Sequence, residues 1–280
     1  MLYDGSSLMA VFDAIAACGE ITRARISEMT GFSQVTVGKA VELLDACGII
    51  SQYKQERASA GRKTGVCRLE PDAGMILFEF AEMKLRVTDV LMEIQHECSF
   101  ESPETAFMTG FSAFSDYFDG ELMGVGCIVP DRKLDEYRGI IIDAFGNEPE
   151  LVIEAAKSAA VANSGRFDPV EAAVYLRISG GSCSGALMLG GQLYGGVSGR
   201  AGDFARLIPD VSALPEKLLE ICALLDPELI HIAADVPVDF DVPPQTQLVV
   251  EPLSACRDAL DGAAWILRER WVTSKIANIG

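Results

Sequence analysis

Residues 21–50 read ITRARISEMTGFSQVTVGKAVELLDACGII, and this stretch decides the fold of the N-terminal part of the chain. Thr22 precedes a short helical segment that stops at Thr30-Gly31, and Ser33 can cap the helix that follows. Apolar residues recur at helical spacing in that second helix: Val37, Ala40, Val41 and Leu44. A short helix, a turn with glycine and a capped second helix together predict a helix-turn-helix.

A helix precedes this motif and two strand-like segments follow it. Residues 8–15 repeat apolar side chains at helical spacing, and Gly19 ends that helix. The segments GIISQYK (48–54) and TGVCRLE (64–70) are typical of strands, and QERASAGR (55–62) joins them. These elements predict a winged helix-turn-helix over residues 1–70.

The candidate DNA-binding residues lie on the second helix of the motif and on the wing. Near the helix N-terminus, Gln34, Thr36 and Lys39 lie off the apolar stripe, where a recognition helix presents side chains to base edges. Basic residues at the wing can reach phosphates or a minor groove. The full set is Ser33, Gln34, Thr36, Lys39, Arg57, Arg62 and Lys63. The alternative is a small helical domain with a solvated basic loop.

Charge is distributed unevenly along the chain, which carries a net charge of −18 over 280 residues. Residues 1–68 hold eight Lys and Arg against seven Asp and Glu, a net charge of +1. The remaining residues hold 15 against 34, a net charge of −19. A near-neutral head and a strongly acidic body indicate two units with different partners. We expect DNA contact from the head alone, because phosphates repel the acidic body.

The composition predicts a folded chain and argues against a membrane protein. Hydrophobic residues make up 49% of the sequence and charged residues 23%, enough to build a buried core. No apolar run approaches the length of about 18 residues that a transmembrane helix needs. The N-terminus has no basic region before its first apolar run, so we expect neither a signal peptide nor a membrane partner.

The cysteines and histidines predict no metal site, and we expect no cofactor. The eight cysteines have no C-x-x-C spacing, and the two histidines are His96 and His231. Cysteines in apolar surroundings are typical of buried residues in a reducing cytosol, so we expect a cytoplasmic location. His96, Glu97 and Cys98 form an isolated group for which metal binding is a weak hypothesis. His231 is expected to be a hydrogen-bonded strand residue.

The N-terminal sequence resembles a known family. Residues 21–52 and 60–74 resemble the winged-helix head of transcriptional repressors of the ROK family (repressor, open reading frame, kinase). That family typically follows its wing with G-G-R-P, a strand and N-P-x-A-G. The corresponding segments here read AGRK (60–63) and EPDAG (70–74). The resemblance implies a DNA-binding head on a two-lobed actin/hexokinase-like body, which binds a sugar and, in the kinases, ATP between its lobes.

The rest of the chain resembles that body at lower similarity. Strand-like runs such as MILFEF (75–80) and ELIHIAA (228–234) alternate with helical segments such as PEKLLEICALL (215–225), which is typical of an α/β sheet fold. Residues 176–204 hold nine of the 26 glycines, which we interpret as turn formers rather than a nucleotide cradle. The predicted fold is therefore α/β, with a winged helix-turn-helix at 1–70 and a truncated ROK body at 71–280. Its lobes would span about 71–170 and 171–280.

The family's motifs for phosphate binding and for the general base are altered. Where the family has D-x-G-G-T-K, residues 80–85 read FAEMKL, so both glycines are replaced and no phosphate cradle is expected. Where it has N-D-A-N-A-A, whose Asp deprotonates the sugar hydroxyl, residues 154–159 read EAAKSA, with Ala155 at the Asp position. Glu154 is one residue away, which rotates a helical side chain by about 100°, so we do not expect it to act as the base.

Three further family features have changed. The sugar-binding E-x-G-H corresponds to Asp203-Phe204-Ala205-Arg206, and the zinc loop of the type C-x-C-G-x-x-G-C is missing. The G-G-G turn near the adenine corresponds to Ala233-Ala234-Asp235, which places bulk and a carboxylate where the nucleotide would lie. Together these changes predict that the protein is not a sugar kinase.

Three polar residues remain candidates for a small ligand pocket. Glu154, Asp203 and Arg206 could line it, and Arg206 suits an anionic ligand through bidentate hydrogen bonds. The preferred interpretation is that these residues form a surface or interlobe ion pair.

The sequence as a whole predicts a DNA-binding transcriptional regulator acting as a repressor. Its non-catalytic body would provide oligomerisation, with sensing of an unidentified small-molecule effector as a further option. The expected partners are double-stranded operator DNA and a second copy of the chain, in a homodimer or a higher symmetric homo-oligomer, because two heads on two half-sites multiply affinity. Two alternatives stay open: an active or residual sugar kinase with a DNA-binding head, and an intact sugar-sensing repressor.

Overall fold

The computed structural model describes residues 5–55, 64–70, 72–238 and 241–278. The first two of these ranges contain helices and a small antiparallel sheet of order β1-β3-β2. The elements are α1 (Gly5–Cys18), β1 (Glu20–Thr22), α2 (Arg23–Thr30), α3 (Gln34–Ala46), β2 (Ile50–Gln55) and β3 (Thr64–Leu69). We call this part the head.

Local hydrogen bonds fix the turn between α2 and α3. Thr22 caps α2 by accepting from the backbone N–H of Arg25 at 3.3 Å, and Gly31 ends it with a φ of 73°. Ser33 caps α3 by accepting from the N–H of Thr36 at 3.2 Å. The apolar stripe of α3 is fully buried against α1 and α2. The helix, turn and capped helix read from the sequence are therefore present.

The first large sheet has the order β6-β5-β4-β7-β8, with antiparallel pairs on one side of β4 and parallel pairs on the other. Its strands are β4 (Ala73–Glu79), β5 (Lys84–Asp89), β6 (Ile94–Ser99), β7 (Glu121–Val129) and β8 (Leu151–Glu154). Helices α4 (Pro103–Tyr117) and α5 (Leu134–Phe145) cover one face, and a cluster of phenylalanines packs beneath them.

The second large sheet repeats this connectivity, with the order β11-β10-β9-β12-β13. Its strands are β9 (Ala172–Ser179), β10 (Ser182–Leu189), β11 (Gln192–Leu193), β12 (Leu229–Ala234) and β13 (Gln247–Pro252). Gly180 and Gly181 turn β9 into β10 with φ of 57° and 80°, a conformation that favours glycine at both positions. These two glycines therefore form a hairpin turn, as the sequence indicated. The two matching sheets make the molecule a mixed α/β protein.

Two helices pack between these sheets. Helix α6 (Ala155–Ser164) follows β8, and α8 (Ala259–Ala277) contacts α6, β4, β7 and α1. Helix α7 (Leu214–Leu225) covers the second sheet. One continuous apolar core joins the head to the first sheet through α8. The sequence-based division assigns α8 to the second lobe, whereas its contacts are with the first sheet and the head. None of the described helices is long and apolar enough to cross a membrane.

The crossing of α6 and α8 requires glycine at residue 262. A Cβ built on Gly262 would lie 1.8 Å from the backbone oxygen of Ser158, which cannot move without shifting α6. We therefore expect Gly262→Ala to lower the free energy of unfolding by about 3 kcal/mol. The measurement is urea denaturation.

The matched control is Gly139→Ala on α5. Gly139 is exposed, and a Cβ there meets no atom within 4 Å. This substitution should raise stability by about 1 kcal/mol through helix propensity. A neutral Gly262→Ala would mean that α6 and α8 do not pack this closely.

Candidate nucleic-acid interface and interlobe cavities

The N-terminal end of α3 presents polar side chains at the protein surface. Gln34 and Lys39 are exposed and have no hydrogen-bond or ion-pair partner among the described residues. The hydroxyls of Ser33 and Thr36 lie 3.0 Å apart and belong to the helix cap. Gln34 and Lys39 are therefore the two sequence-predicted residues on α3 whose side chains are available to a ligand such as a base edge.

Lys39 differs from the other head cations whose side chains the structure describes. Those cations are paired with carboxylates: Arg23 with Glu42, Arg25 with Glu28 and Arg68 with Glu70. Arg57, Arg62 and Lys63, which the sequence assigns to the wing, lie outside the described residues. In the part of the head that can be described, Lys39 is thus the cation without a neutralising partner.

Val35 is an exposed residue on the same surface that the sequence reasoning missed. Its exposed fraction is 68%, and it lies between Gln34 and Thr36 at the start of α3. An apolar side chain in this position can contact the methyl group of thymine in a major groove. The signal in the sequence was an apolar residue off the buried stripe.

The three candidate ligand residues line one cavity. Glu154, Asp203 and Arg206 face a space of about 200 Å³ together with Lys157 and Arg132. Glu154 Oε2 forms an ion pair with Lys157 Nζ at 2.6 Å, and Asp203 Oδ2 forms one with Arg206 Nε at 2.9 Å. The cavity is therefore lined by two ion pairs, and whether it holds a ligand remains a prediction.

A second cavity of about 400 Å³ lies between the two large sheets. Its walls include Glu79 at the end of β4, Arg177 on β9 and His231 on β12. The turn after β4 falls at residues 80–83, one residue earlier than the comparison with D-x-G-G-T-K assumed. Aligned on this turn, the segment is Glu79 to Lys84, which keeps an acidic first residue and still lacks both glycines.

Glu79 is a buried carboxyl without a hydrogen-bond partner among the described residues. Burial raises its pKa to about 7, and the carboxylates of Glu82 and Asp258 act in the same direction. The positive charge of Arg177 lowers the pKa of Glu79, but by less than these effects raise it. The carboxyl group is therefore poised to change its charge near neutral pH.

Titration of Glu79 gives a testable pH dependence of stability. Between about 4.5 and about 7 the folded state keeps a proton that the unfolded state has lost, so stability falls as pH rises. We expect the free energy of unfolding of the wild type to drop by about 3 kcal/mol relative to Glu79→Gln from pH 4.5 to pH 8. Denaturant unfolding across this range measures it. Glu101→Gln, at an exposed site, should follow the wild type, and equal profiles for the wild type and Glu79→Gln would refute the assignment.

The segments that correspond to the general-base motif and to the G-G-G turn of the kinases form ordinary secondary structure with local hydrogen bonds. Ala155 begins α6, and the Asp131 carboxylate caps that helix by accepting from the N–H of Ala156 at 2.8 Å. Ala233 and Ala234 continue β12, and the Asp235 carboxylate accepts from the N–H of Gly180 at 2.8 Å. Asp131, which the sequence analysis did not single out, is thus a carboxylate at the start of α6, and burial raises its pKa.

Solved structures of the ROK family share the fold of this chain. A ROK family transcriptional regulator, a homologue of the E. coli MLC protein, covers 98% of this chain and 100% of its own at 13% identity, with a TM-score of 0.56. A ROK family protein from Streptococcus pneumoniae in complex with sucrose covers 72% of this chain and 98% of its own at 14% identity, with a TM-score of 0.48. A ROK hexokinase from Thermus thermophilus covers 69% and 97% at 15% identity, with a TM-score of 0.47.

These likenesses concern the fold. These three structural neighbours are ROK family proteins, as the resemblance in sequence implied, and the first of them extends over nearly the whole of both chains. Neither a protein-family model nor a curated protein matches the sequence. The roles of individual residues therefore depend on the chemistry of the side chains present.

Proposed function

We propose that the protein is a DNA-binding transcriptional regulator, in the role of a repressor. Residues 1–70 would form a winged helix-turn-helix, with α3 in the major groove and the segment between β2 and β3 as the wing. Residues 71–280 would form a body of the ROK type that does not catalyse phosphorylation. The cytoplasm is the expected location of such a regulator.

The observation that carries this proposal is the surface of α3. Its first two turns project an exposed amide at Gln34, an exposed methyl-bearing side chain at Val35 and an unpaired cation at Lys39. Amide and ammonium groups read adenine and guanine edges, and an apolar group contacts thymine. The head arginines Arg23, Arg25 and Arg68 each pair with a carboxylate, so in the described part of the head Lys39 is the cation that is left for a phosphate or a base.

Two experiments test the proposal. The first selects the fragments of sheared genomic DNA that the protein binds, and the second measures the affinity for them at several salt concentrations. Specific binding should exceed binding to a random duplex by at least about a thousandfold, and the logarithm of the affinity should fall linearly with the logarithm of salt concentration. Equal affinity for selected and random duplexes would refute it.

Several features support a non-catalytic body. Ala155 carries no group that could deprotonate a sugar hydroxyl, and Glu154 is held in an ion pair with Lys157 at 2.6 Å. The strand continues through Ala233 and Ala234, where the kinases have a glycine turn. Glu79 supplies an acidic residue at the first position of the altered D-x-G-G-T-K motif, which is the feature that favours the alternative of a residual sugar kinase. A coupled ATP-consumption assay over a panel of sugars decides between them, since robust turnover would overturn this part of the proposal.

The body would set the spacing of two heads in a symmetric homodimer or larger assembly. A dimer on a palindromic operator places its recognition helices about one DNA turn apart, roughly 34 Å. The continuous core between head and first sheet supports this role, because it holds the head in a fixed position on the body. A ligand in the cavity between the sheets could then alter that spacing. A thermal-shift screen with sugars and sugar phosphates would detect binding of such a ligand.

A further inference from the structure

Three potential metal ligands converge at one edge of the second sheet. His231 Nε2 lies 3.0 Å from Glu251 Oε2, and Cys256 Sγ lies 3.9 Å from the same nitrogen and 3.8 Å from the same oxygen. The three atoms thus form a triangle with sides below 4.8 Å. Among the described residues, this is the group of histidine, cysteine and acidic side chains with metal-binding geometry.

The backbone brings these residues together from separate positions in the sequence. Strands β12 and β13 are parallel, and Glu251 pairs with Ala233, two residues after His231 and on the same face of the sheet. A short 3-10 turn at Leu253–Ala255 follows β13, and after it Cys256 Sγ lies 3.8 Å from Glu251 Oε2. Stable sheet register therefore fixes two ligands, and a tight turn fixes the third.

Neighbouring side chains hold the ligands in place. The His231 ring is 2% exposed and lies between Phe167 and Tyr175, with ring centroids at 5.1 Å and 5.5 Å. Arg166 binds both oxygens of Glu251, each at 2.8 Å. Because a carboxylate oxygen has two lone pairs, Oε2 can still accept a further ligand bond while Arg166 orients the group.

The geometry distinguishes a metal site from a catalytic relay. In a Cys–His–acid relay, the thiol and the carboxylate bond to different ring nitrogens of the histidine. Here Glu251 and Cys256 both meet His231 Nε2. Ligand atoms in a tetrahedral zinc site lie roughly 3.3–3.8 Å apart, given bond lengths of about 2.0–2.3 Å. The three distances here fall close to that range.

We propose that His231, Glu251 and Cys256 bind a divalent metal ion of the zinc class. One thiolate, one imidazole and one carboxylate form a donor set that suits Zn²⁺ and disfavours Mg²⁺ or Ca²⁺, which prefer oxygen ligands. His231 and Cys256 also line the interlobe cavity of about 400 Å³. The fourth position of a tetrahedral ion would therefore open into that cavity, where water or an anionic group of a small molecule can bind it. This proposal does not depend on DNA binding.

Titration of the reduced, chelator-treated full-length protein with Co²⁺ and then Zn²⁺ tests the site. We expect one Co²⁺ per chain, with a thiolate-to-cobalt charge-transfer band and the visible bands of a tetrahedral ion, and displacement of Co²⁺ by Zn²⁺. Cys256→Ser should abolish the charge-transfer band. His231→Gln should weaken Zn²⁺ binding by at least about a hundredfold.

The matched control is Cys98→Ser, which removes a cysteine of β6 that is also partly exposed and is close to His96 in sequence. This variant should keep the charge-transfer band and the Zn²⁺ affinity of the wild type. Thermal unfolding of each variant verifies that it is folded. The proposal is overturned if the wild type gives no cobalt–thiolate band, if the band survives Cys256→Ser, or if Cys98→Ser removes it.

Discussion

Replacement of Lys39 by glutamate is expected to weaken binding to the selected operator duplex by roughly a thousandfold. Lys39 is exposed and unpaired on α3. If α3 enters the major groove as proposed, the change would both remove a contact to DNA and add a repulsive charge. Each lost contact of this kind costs about 2 kcal/mol. A dimer with two heads on two half-sites loses it twice, which gives about 4 kcal/mol. Fluorescence anisotropy at fixed salt measures the effect.

Arg138→Glu provides the matched control for this change of charge. Arg138 lies on an exposed face of α5 in the body and pairs with Glu148 at 3.0 Å. The substitution alters the net charge of the chain by the same amount as Lys39→Glu. Because salt screens charges beyond about 8 Å, operator affinity should change by less than about threefold. If Lys39→Glu has an equally small effect, α3 is not the recognition helix.

The order of elements in the head could be predicted because short-range chemistry decides it. Thr22 and Ser33 each bond to an N–H three residues ahead, and Gly31 adopts a left-handed conformation that ends α2. Such signals depend on a few consecutive residues and are visible in the sequence. The exposure of Val35, by contrast, depends on how α3 packs against the rest of the head.

The body could be predicted in class but not in every element. Buried runs such as β4 and β12 stand out as continuous apolar segments. Strand β6, with the sequence IQHECS, is an edge strand whose residues are mostly half-buried or exposed, so it has no clear pattern. The contact of α8 with the first sheet joins segments far apart in the chain, which periodicity cannot indicate.

The polar sites depend most on the three-dimensional arrangement. The expectation of no metal site rested on the absence of clustered cysteines and histidines, whereas His231, Glu251 and Cys256 become neighbours only through sheet register and a turn. Glu79 was missed because the turn after β4 begins one residue earlier than the motif comparison assumed. Residue spacing in the sequence can indicate ligands that lie on one helix or loop. It cannot indicate ligands that come from neighbouring parallel strands.

Asp13→Ala is expected to lower the free energy of unfolding by about 4 kcal/mol. Arg268 on α8 donates from Nη2 to Asp13 on α1 at 2.8 Å, and its side chain is only 5% exposed. Its guanidinium also lies 4.6 Å from the Trp265 ring and 5.4 Å from the Phe12 ring. Without Asp13 the buried guanidinium of Arg268 keeps only its contacts with the two aromatic rings. These contacts do not offset most of the free energy that the cation loses when it leaves water. Denaturant unfolding at neutral pH measures the loss.

The double variant Asp13→Ala/Arg268→Met separates the charge from the packing at this junction. Methionine keeps much of the apolar volume of the arginine side chain, and replacement of a buried ion pair by apolar groups is often neutral or stabilising. We expect the double variant to recover at least about 3 kcal/mol of the loss and to unfold in one transition, because α1, α8 and the first sheet share one core. If Asp13→Ala lowers the free energy of unfolding by less than about 1 kcal/mol, the Asp13–Arg268 pair contributes no more than an exposed ion pair does. The apolar core that α1, α8 and the first sheet share would then hold the head on the body without this ion pair.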